Sequence, residues 1–263
     1  MKSIYRNTHY EILRIIAMLS VFLSHVPCAP DALAANRILH SFFYCGGAFG
    51  VNLFVLLGSW FLVEQEFRFE RVFRIVFQTV FYVFFLYAVS IILGSGISLH
   101  NLILCFSMWF PFGYVCMLCL SPFLEKLNIS HKKAIIIIIL SLSIIAFIMM
   151  LTDKWNILTL AFSKGIFLGP VWYSFIYIFI SCYKDKIGKA VKNSHKMKYF
   201  LMSAILYLLM FIVFYYFHEG VVRAVFSPLC FLSALLFFFG FLSFDRTFSN
   251  NVVNLIASAY GAG

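Results

Sequence analysis

The sequence predicts an all-α protein, a polytopic bundle of transmembrane helices formed by one domain over residues 1–263. Of the 263 residues, 63% are hydrophobic and 20% are aromatic, whereas only 11% are charged. Soluble domains do not have this composition. The segment 134–151 contains no charged residue, and similar apolar runs recur along the whole chain. No soluble module large enough to fold by itself is left between them.

Eight apolar runs have close to the roughly 20 residues that a transmembrane helix needs. The predicted spans are 10–29, 40–63, 72–93, 101–124, 134–151, 163–183, 198–217 and 222–243. The sixth run contains Gly165, Gly169 and Pro170, which favour a kinked or re-entrant start.

The basic residues are distributed unevenly between the two sides of this bundle. The net charge is +10. Of the Lys and Arg residues, 15 fall on the side of the N-terminus, six of them in a predicted solvated loop at 184–198, and four fall on the opposite side. The positive-inside rule therefore places the N-terminus in the cytoplasm. Topology explains the charge, so we expect no nucleic-acid partner. Trp109, Trp155 and Trp172 fit interfacial aromatic belts.

The first span carries two ionisable residues, Arg14 and His25. Eleven helical steps separate them, so their side chains project from one face, roughly 16 Å apart along the axis. Ionisable residues within a span usually face a protein interior or a watery cavity, and we interpret this face as the wall of a site. Alternatively, each side chain reaches the interface at its own end of the helix. A signal peptide ending near 32–34 is a further alternative.

The second span contains a patch of small and polar residues, Gly46, Gly47, Gly50 and Asn52. Such a patch either packs closely against a neighbouring helix, which we favour, or borders a cavity.

Three arginines precede and enter the third span at a spacing of three residues, Arg68, Arg71 and Arg74. They occupy one helical face just inside the membrane. Anionic lipid headgroups and a phosphate-bearing ligand are both suitable partners for this face.

The remaining sequence contains no metal site, Walker loop, dinucleotide fingerprint or G-x-S-x-G elbow. We therefore expect no bound metal or cofactor, and covalent serine chemistry has no support.

Four ordered stretches resemble the acyltransferase 3 family, bacterial membrane enzymes that O-acylate surface glycans. The first is segment 11–17 followed by His25, which is similar to the family's hallmark of arginine, ten residues and histidine. The others are Gly50-Val-Asn52-Leu-Phe54 with Trp60-Phe61-Leu62 and Arg71–Arg74; Trp109-Phe110, Tyr114 and Ser121-Pro122-Phe123-Leu124; and Ser227-Pro228 with Ser233-Ala234-Leu235. The resemblance thus covers nearly the whole chain.

Two features depart from the family pattern. Gly58-Ser59 stands in reversed order relative to the family's Ser-Gly. Family members also continue into a final helix that carries a further histidine, whereas this chain ends at Gly263. The last helix is expected to be missing and activity to be impaired, because the short apolar tail 252–263 cannot span a membrane.

The resemblance implies transfer of an acyl group, expected to be acetyl, from cytoplasmic acyl-CoA to a hydroxyl of a surface polysaccharide or its lipid-linked precursor. His25 is the expected general base, because imidazole titrates near neutral pH. Arg14 is the second catalytic residue and binds the anionic donor. Further donor-binding residues are Arg68, Arg71 and Arg74. Expected substrate-binding residues are Glu11, which would orient Arg14 by an i,i+3 pair, and Asn52, Trp109 and Tyr114.

This interpretation places the chain in the inner or plasma membrane, with acyl-CoA, a saccharide acceptor and the lipid bilayer as partners. A transporter or flippase that uses Arg14 and His25 as a substrate or proton path is the alternative. An inactive fragment is a third reading.

Overall fold

A computed structural model describes most of the chain, and the described part is almost entirely helical. The described residues are 8–25, 37–63, 65–94, 98–100, 110–151, 165–192, 196–217 and 225–243. The helices with defined bounds are α1 (Thr8–His25), α2 (Arg37–Leu62), α3 (Phe69–Ile92), α4 (Phe110–Glu125), α5 (Ile129–Leu151), α6 (Gly165–Lys192), α7 (Lys196–Phe217) and α8 (Pro228–Leu242). Since these ranges contain no strand, the all-α class is confirmed.

Each of these helices coincides with one predicted span, in the same order. Four contain stretches long and apolar enough to cross a membrane, namely Ile38–Leu62, Phe69–Ile92, Ile129–Met149 and Met197–Tyr216. α4 and α8 are apolar but shorter, with 16 and 15 residues. The chain is therefore a helical membrane protein. The expected absence of a final helix concerns 252–263, which lie outside the described residues.

α6 differs from the sequence-based expectation at its C-terminal end. Its start contains Pro170 as the sixth helical residue, where proline removes one intrahelical hydrogen bond and favours a kink, so the expected kink stays a prediction. At the other end the helix includes 184–192, for which the sequence predicts a solvated loop. Ile187 and Val191 explain this extension, because they lie one turn apart and both are buried, which gives the segment an apolar helical face.

α2 lies at the centre of the bundle, in contact with α1, α6, α7 and α8. In its most apolar stretch 72% of the residues are buried inside the protein, compared with 11% in α3 and 17% in each of α5 and α7. The three outer helices therefore present their apolar side chains to lipid, and α2 anchors the core.

Glycines on α2 bring α1 unusually close. A Cβ atom on Gly50 would lie 2.5 Å from the carbonyl oxygen of Ala17, and a Cβ on Gly47 would collide with the Ser24 side chain. Only a residue without a side chain allows this approach, which is how small residues join helices in membranes. Close packing, our favoured interpretation of the small-residue patch, is confirmed for these two positions.

Contacts between helix termini define one end of the bundle. Nε2 of His9, near the start of α1, donates a hydrogen bond of 2.7 Å to the carbonyl of Phe241, near the end of α8. Nζ of Lys184 donates to the carbonyl of Trp60 at the end of α2 and lies 4.9 Å from the Trp60 ring centroid. We call this the basic end. It holds the start of α1 and of α3, and the charge distribution in the sequence predicts that it is cytoplasmic.

Candidate functional site

The α1 arginine forms an ion pair within its own helix. Nη1 of Arg14 donates to Oε2 of Glu11 at 2.6 Å, and the two side chains are 19% and 7% exposed. The predicted i,i+3 pair is confirmed. A charge in a membrane span needs such a partner, because an unpaired charge there is costly. The contact uses one nitrogen of a guanidinium group that carries five N–H donors, so the arginine keeps capacity for a ligand.

Tyr114 of α4 is held by neighbours on three sides. Its ring centroid lies 5.8 Å from that of Phe54 and 6.1 Å from that of Phe110. On the third side is Gly58 of α2, where a Cβ would lie 3.2 Å from Cζ of the tyrosine and closer still to the hydroxyl oxygen. The missing side chain at position 58 makes the space that the tyrosine hydroxyl occupies.

Two arginines lie within electrostatic range of this tyrosine. Their positive charges, those of Arg14 on α1 and Arg71 on α3, are near enough to influence the Tyr114 phenol. α3 and α4 also pack against each other. We call Glu11, Arg14, Arg71 and Tyr114 the Tyr114 site. The site contains two guanidinium groups and a hydroxyl, and the Glu11 carboxylate neutralises part of the positive charge. Such a set of groups is suited to an anion such as a phosphate.

The other two arginines of the predicted basic face have different surroundings. Arg68 is exposed and precedes α3 as its N-cap residue, without a side-chain capping bond. Arg74 is exposed and lines a groove on the outer face of α3. Of the three arginines, Arg71 is the one that the structure brings to the Tyr114 site; donor binding by Arg68 and Arg74 stays a prediction.

Asn52 is buried on the opposite side of α2. Two helical steps separate it from Gly50, which faces α1, so the two positions point about 200° apart. Nδ2 of Asn52 donates to the carbonyls of Ala48 at 3.0 Å and Val225 at 2.9 Å. Its Oδ1 accepts from Nε1 of Trp172 at 2.9 Å. These bonds tie α2 to α6 and to the segment before α8.

This network assigns Asn52 a structural role, and substrate binding by its side chain stays a prediction. The expected interfacial position of Trp172 is wrong. Its side chain is 2% exposed, within the core, because its indole N–H has a buried acceptor. Its place at the centre of the predicted span 163–183 was a signal against an interfacial position, because belt tryptophans lie near the ends of spans.

His25 is the last residue of α1, and its side chain lies outside the described part of the structure, as does Trp109. The helix is continuous from Arg14 to His25, which preserves the register that places both residues on one face, roughly 16 Å apart. The role of His25 as general base stays a prediction.

Gly58 is the position beside the Tyr114 site whose packing role sequence reasoning missed. The sequence offered one signal, the order Gly58-Ser59 in place of Ser-Gly. The structure explains why a glycine stands at position 58, since any side chain there would collide with the Tyr114 hydroxyl.

Among the described residues, no group of three or more His, Cys, Asp or Glu side chains is arranged to hold a metal ion. In comparisons with known proteins, no family model, curated protein or solved structure matches the chain.

Proposed function

We propose that this protein is a membrane-bound O-acyltransferase that transfers an acyl group, expected to be acetyl, from acyl-CoA to a hydroxyl of a cell-surface polysaccharide or its lipid-linked precursor. The observation that carries the proposal is a mostly buried arginine on α1, Arg14, held by Glu11 at 2.6 Å, with Tyr114 within electrostatic range of both Arg14 and Arg71. An anionic, cytoplasmic donor requires cationic groups at the basic end, and the sequence motifs described above resemble those of a family with this chemistry.

The Tyr114 site would bind the phosphates of the donor. Glu11 fixes the orientation of Arg14 through the 2.6 Å contact, so the remaining N–H groups of the guanidinium are held in one direction. Arg71 adds a second cation, and the tyrosine hydroxyl adds a hydrogen-bond donor. Preorganised donors of this kind are effective where water is excluded, since no reorganisation is needed when the ligand arrives.

The transfer itself would take place toward the other end of α1. His25, in its neutral form, would take the proton of the acceptor hydroxyl. The hydroxyl oxygen would then form a bond to the thioester carbonyl carbon, the carbon–sulfur bond would break, and coenzyme A would leave as the thiol after receiving a proton. The separation of roughly 16 Å along α1 suits an extended donor that enters from the cytoplasm and an acceptor on the outer side.

The proposal is tested by labelled acetyl-CoA in membrane vesicles from cells that express the chain. We expect donor-dependent label in the saccharide fraction, absent from vesicles without the chain. A transporter would instead give saccharide uptake that needs no acetyl-CoA. Uptake without donor, and no labelled saccharide when donor is present, would overturn the acyltransferase proposal.

A further inference from the structure

The outer face of α3 carries a shallow groove that is open to the surroundings and lined by side chains of this one helix. Three aromatic side chains, Phe69, Phe73 and Phe77, line it at a spacing of one helical turn and are 67%, 63% and 61% exposed. This row is apolar and parallel to the helix axis, so it fits an acyl chain lying along α3.

The same groove carries one charge of each sign. Glu70 and Arg74 line it and both are exposed. They are one turn apart, and the structure shows no ion pair between these two described residues. Both lie in the first two turns of α3, at the basic end, and therefore at the level of lipid headgroups. Two opposite charges at this level, beside an aromatic row that continues along the helix to Phe77, match a zwitterionic amphiphile.

We propose that this groove binds a phospholipid with a primary ammonium headgroup, of the phosphatidylethanolamine class. Arg74 binds the lipid phosphate, Glu70 binds the ammonium, and an acyl chain lies along the phenylalanine row. The short linker between phosphate and ammonium suits two side chains that are neighbours at i,i+4.

Charge complementarity favours this occupant over two others. A second copy of the chain, related by a two-fold axis normal to the membrane, would place the Arg74 side chains of the two copies near each other. The two Glu70 side chains would also be near each other. Like charges would then face each other. A purely anionic lipid would satisfy Arg74 and be repelled by Glu70. A primary ammonium satisfies both residues, and it can donate N–H bonds to the carboxylate.

The test compares three lipids on the purified protein by native mass spectrometry. Phosphatidylethanolamine, phosphatidylcholine and phosphatidylglycerol are offered at equal mole fraction. We expect the first to be retained over the other two by about tenfold, which corresponds to about 1.4 kcal/mol. Phosphatidylcholine has a quaternary ammonium that cannot donate a hydrogen bond, and phosphatidylglycerol has no cation.

Two variants separate the roles of the charges. Glu70→Gln should remove the preference for phosphatidylethanolamine and increase retention of phosphatidylglycerol. Arg74→Gln should reduce the retention of all three lipids equally, since all three carry a phosphate. Lys133→Gln, which removes an exposed cation near the start of another outer helix, α5, is the matched control and should leave lipid retention unchanged.

Glu70 also lies in the first turn of α3, where a negative charge stabilises a helix. If this were the only role of Glu70, the Glu70→Gln variant would have a lower free energy of unfolding and an unchanged lipid preference. Equal retention of the three lipids by the wild type, a preference for phosphatidylglycerol, or an unchanged preference in Glu70→Gln would each overturn the proposal.

Discussion

Replacing Gly58 by alanine should displace the Tyr114 hydroxyl. A Cβ at position 58 would lie 3.2 Å from Cζ and 3.3 Å from Cε2 of the tyrosine, with the hydroxyl oxygen nearer still. Ordinary carbon contacts are about 3.5–4.0 Å. Phe54 and Phe110 pack against the ring and restrict the directions in which it can move. We therefore expect the hydroxyl to shift by roughly 1 Å.

Two magnitudes follow from this shift. Overpacking costs about 1–3 kcal/mol, and alanine returns up to about 1 kcal/mol through its higher helix propensity. The net loss of stability should thus lie between about 0 and 3 kcal/mol, which leaves a bundle of ordinary stability folded. If the hydroxyl helps to bind the donor, a shift of this size should lower acyl transfer by about 100-fold. Activity should fall far more than stability.

The assay measures acyl transfer from labelled acetyl-CoA and thermal unfolding on the same preparations. Gly188→Ala is the matched control, because position 188 is also a helical glycine and no atom lies within 4 Å of the added Cβ. It should keep full transfer and wild-type stability or slightly more. Adding Tyr114→Phe to Gly58→Ala removes the clashing oxygen, so stability should recover while transfer stays low.

The reasoning would be refuted if Gly58→Ala kept wild-type transfer and an unchanged melting temperature. The tyrosine would then not occupy the space that the glycine leaves. Recovery of transfer in the double variant would show that the hydroxyl is dispensable and that the glycine matters only for packing.

Three further outcomes test the fold and its orientation. Asn52→Leu should lower the free energy of unfolding by about 1–3 kcal/mol, because buried partners lose their hydrogen bonds; unfolding in detergent measures this. Gly50→Val should lower the free energy of unfolding by at least about the same amount, because the valine side chain would clash with the backbone of Ala17. In a variant without native cysteines, a cysteine at position 192 should resist membrane-impermeant thiol reagents in intact cells and one at 218 should react. The reverse labelling would overturn the proposed orientation.

The helices and the ion pair were predictable from the sequence because both depend on local information. Apolar run length sets the order of the helices, and the spacing of Glu11 and Arg14 sets their contact. The glycine patch was predictable for a similar reason, since small residues on a membrane helix favour close packing.

The neighbours of each helix face were not predictable. α2 is mostly apolar on all sides and packs against α1, α4, α6, α7 and α8, so its hydrophobic pattern does not reveal that Asn52 faces α6 and α8. The same holds for the arginines of α3. Their spacing places them close together in angle, but only the position of α4 shows that Arg71 lies within electrostatic range of Tyr114 while Arg74 lines the outer groove.

The central claim is that α1 binds the donor through Arg14 and activates the acceptor through His25. The most direct measurement is the initial rate of acyl transfer against acetyl-CoA concentration in His25→Ala and Arg14→Lys. We predict that His25→Ala abolishes kcat, because the base is lost, while donor binding persists. Arg14→Lys should raise KM for the donor, because a point charge replaces a guanidinium fork. Wild-type kcat and KM in both variants would contradict the claim.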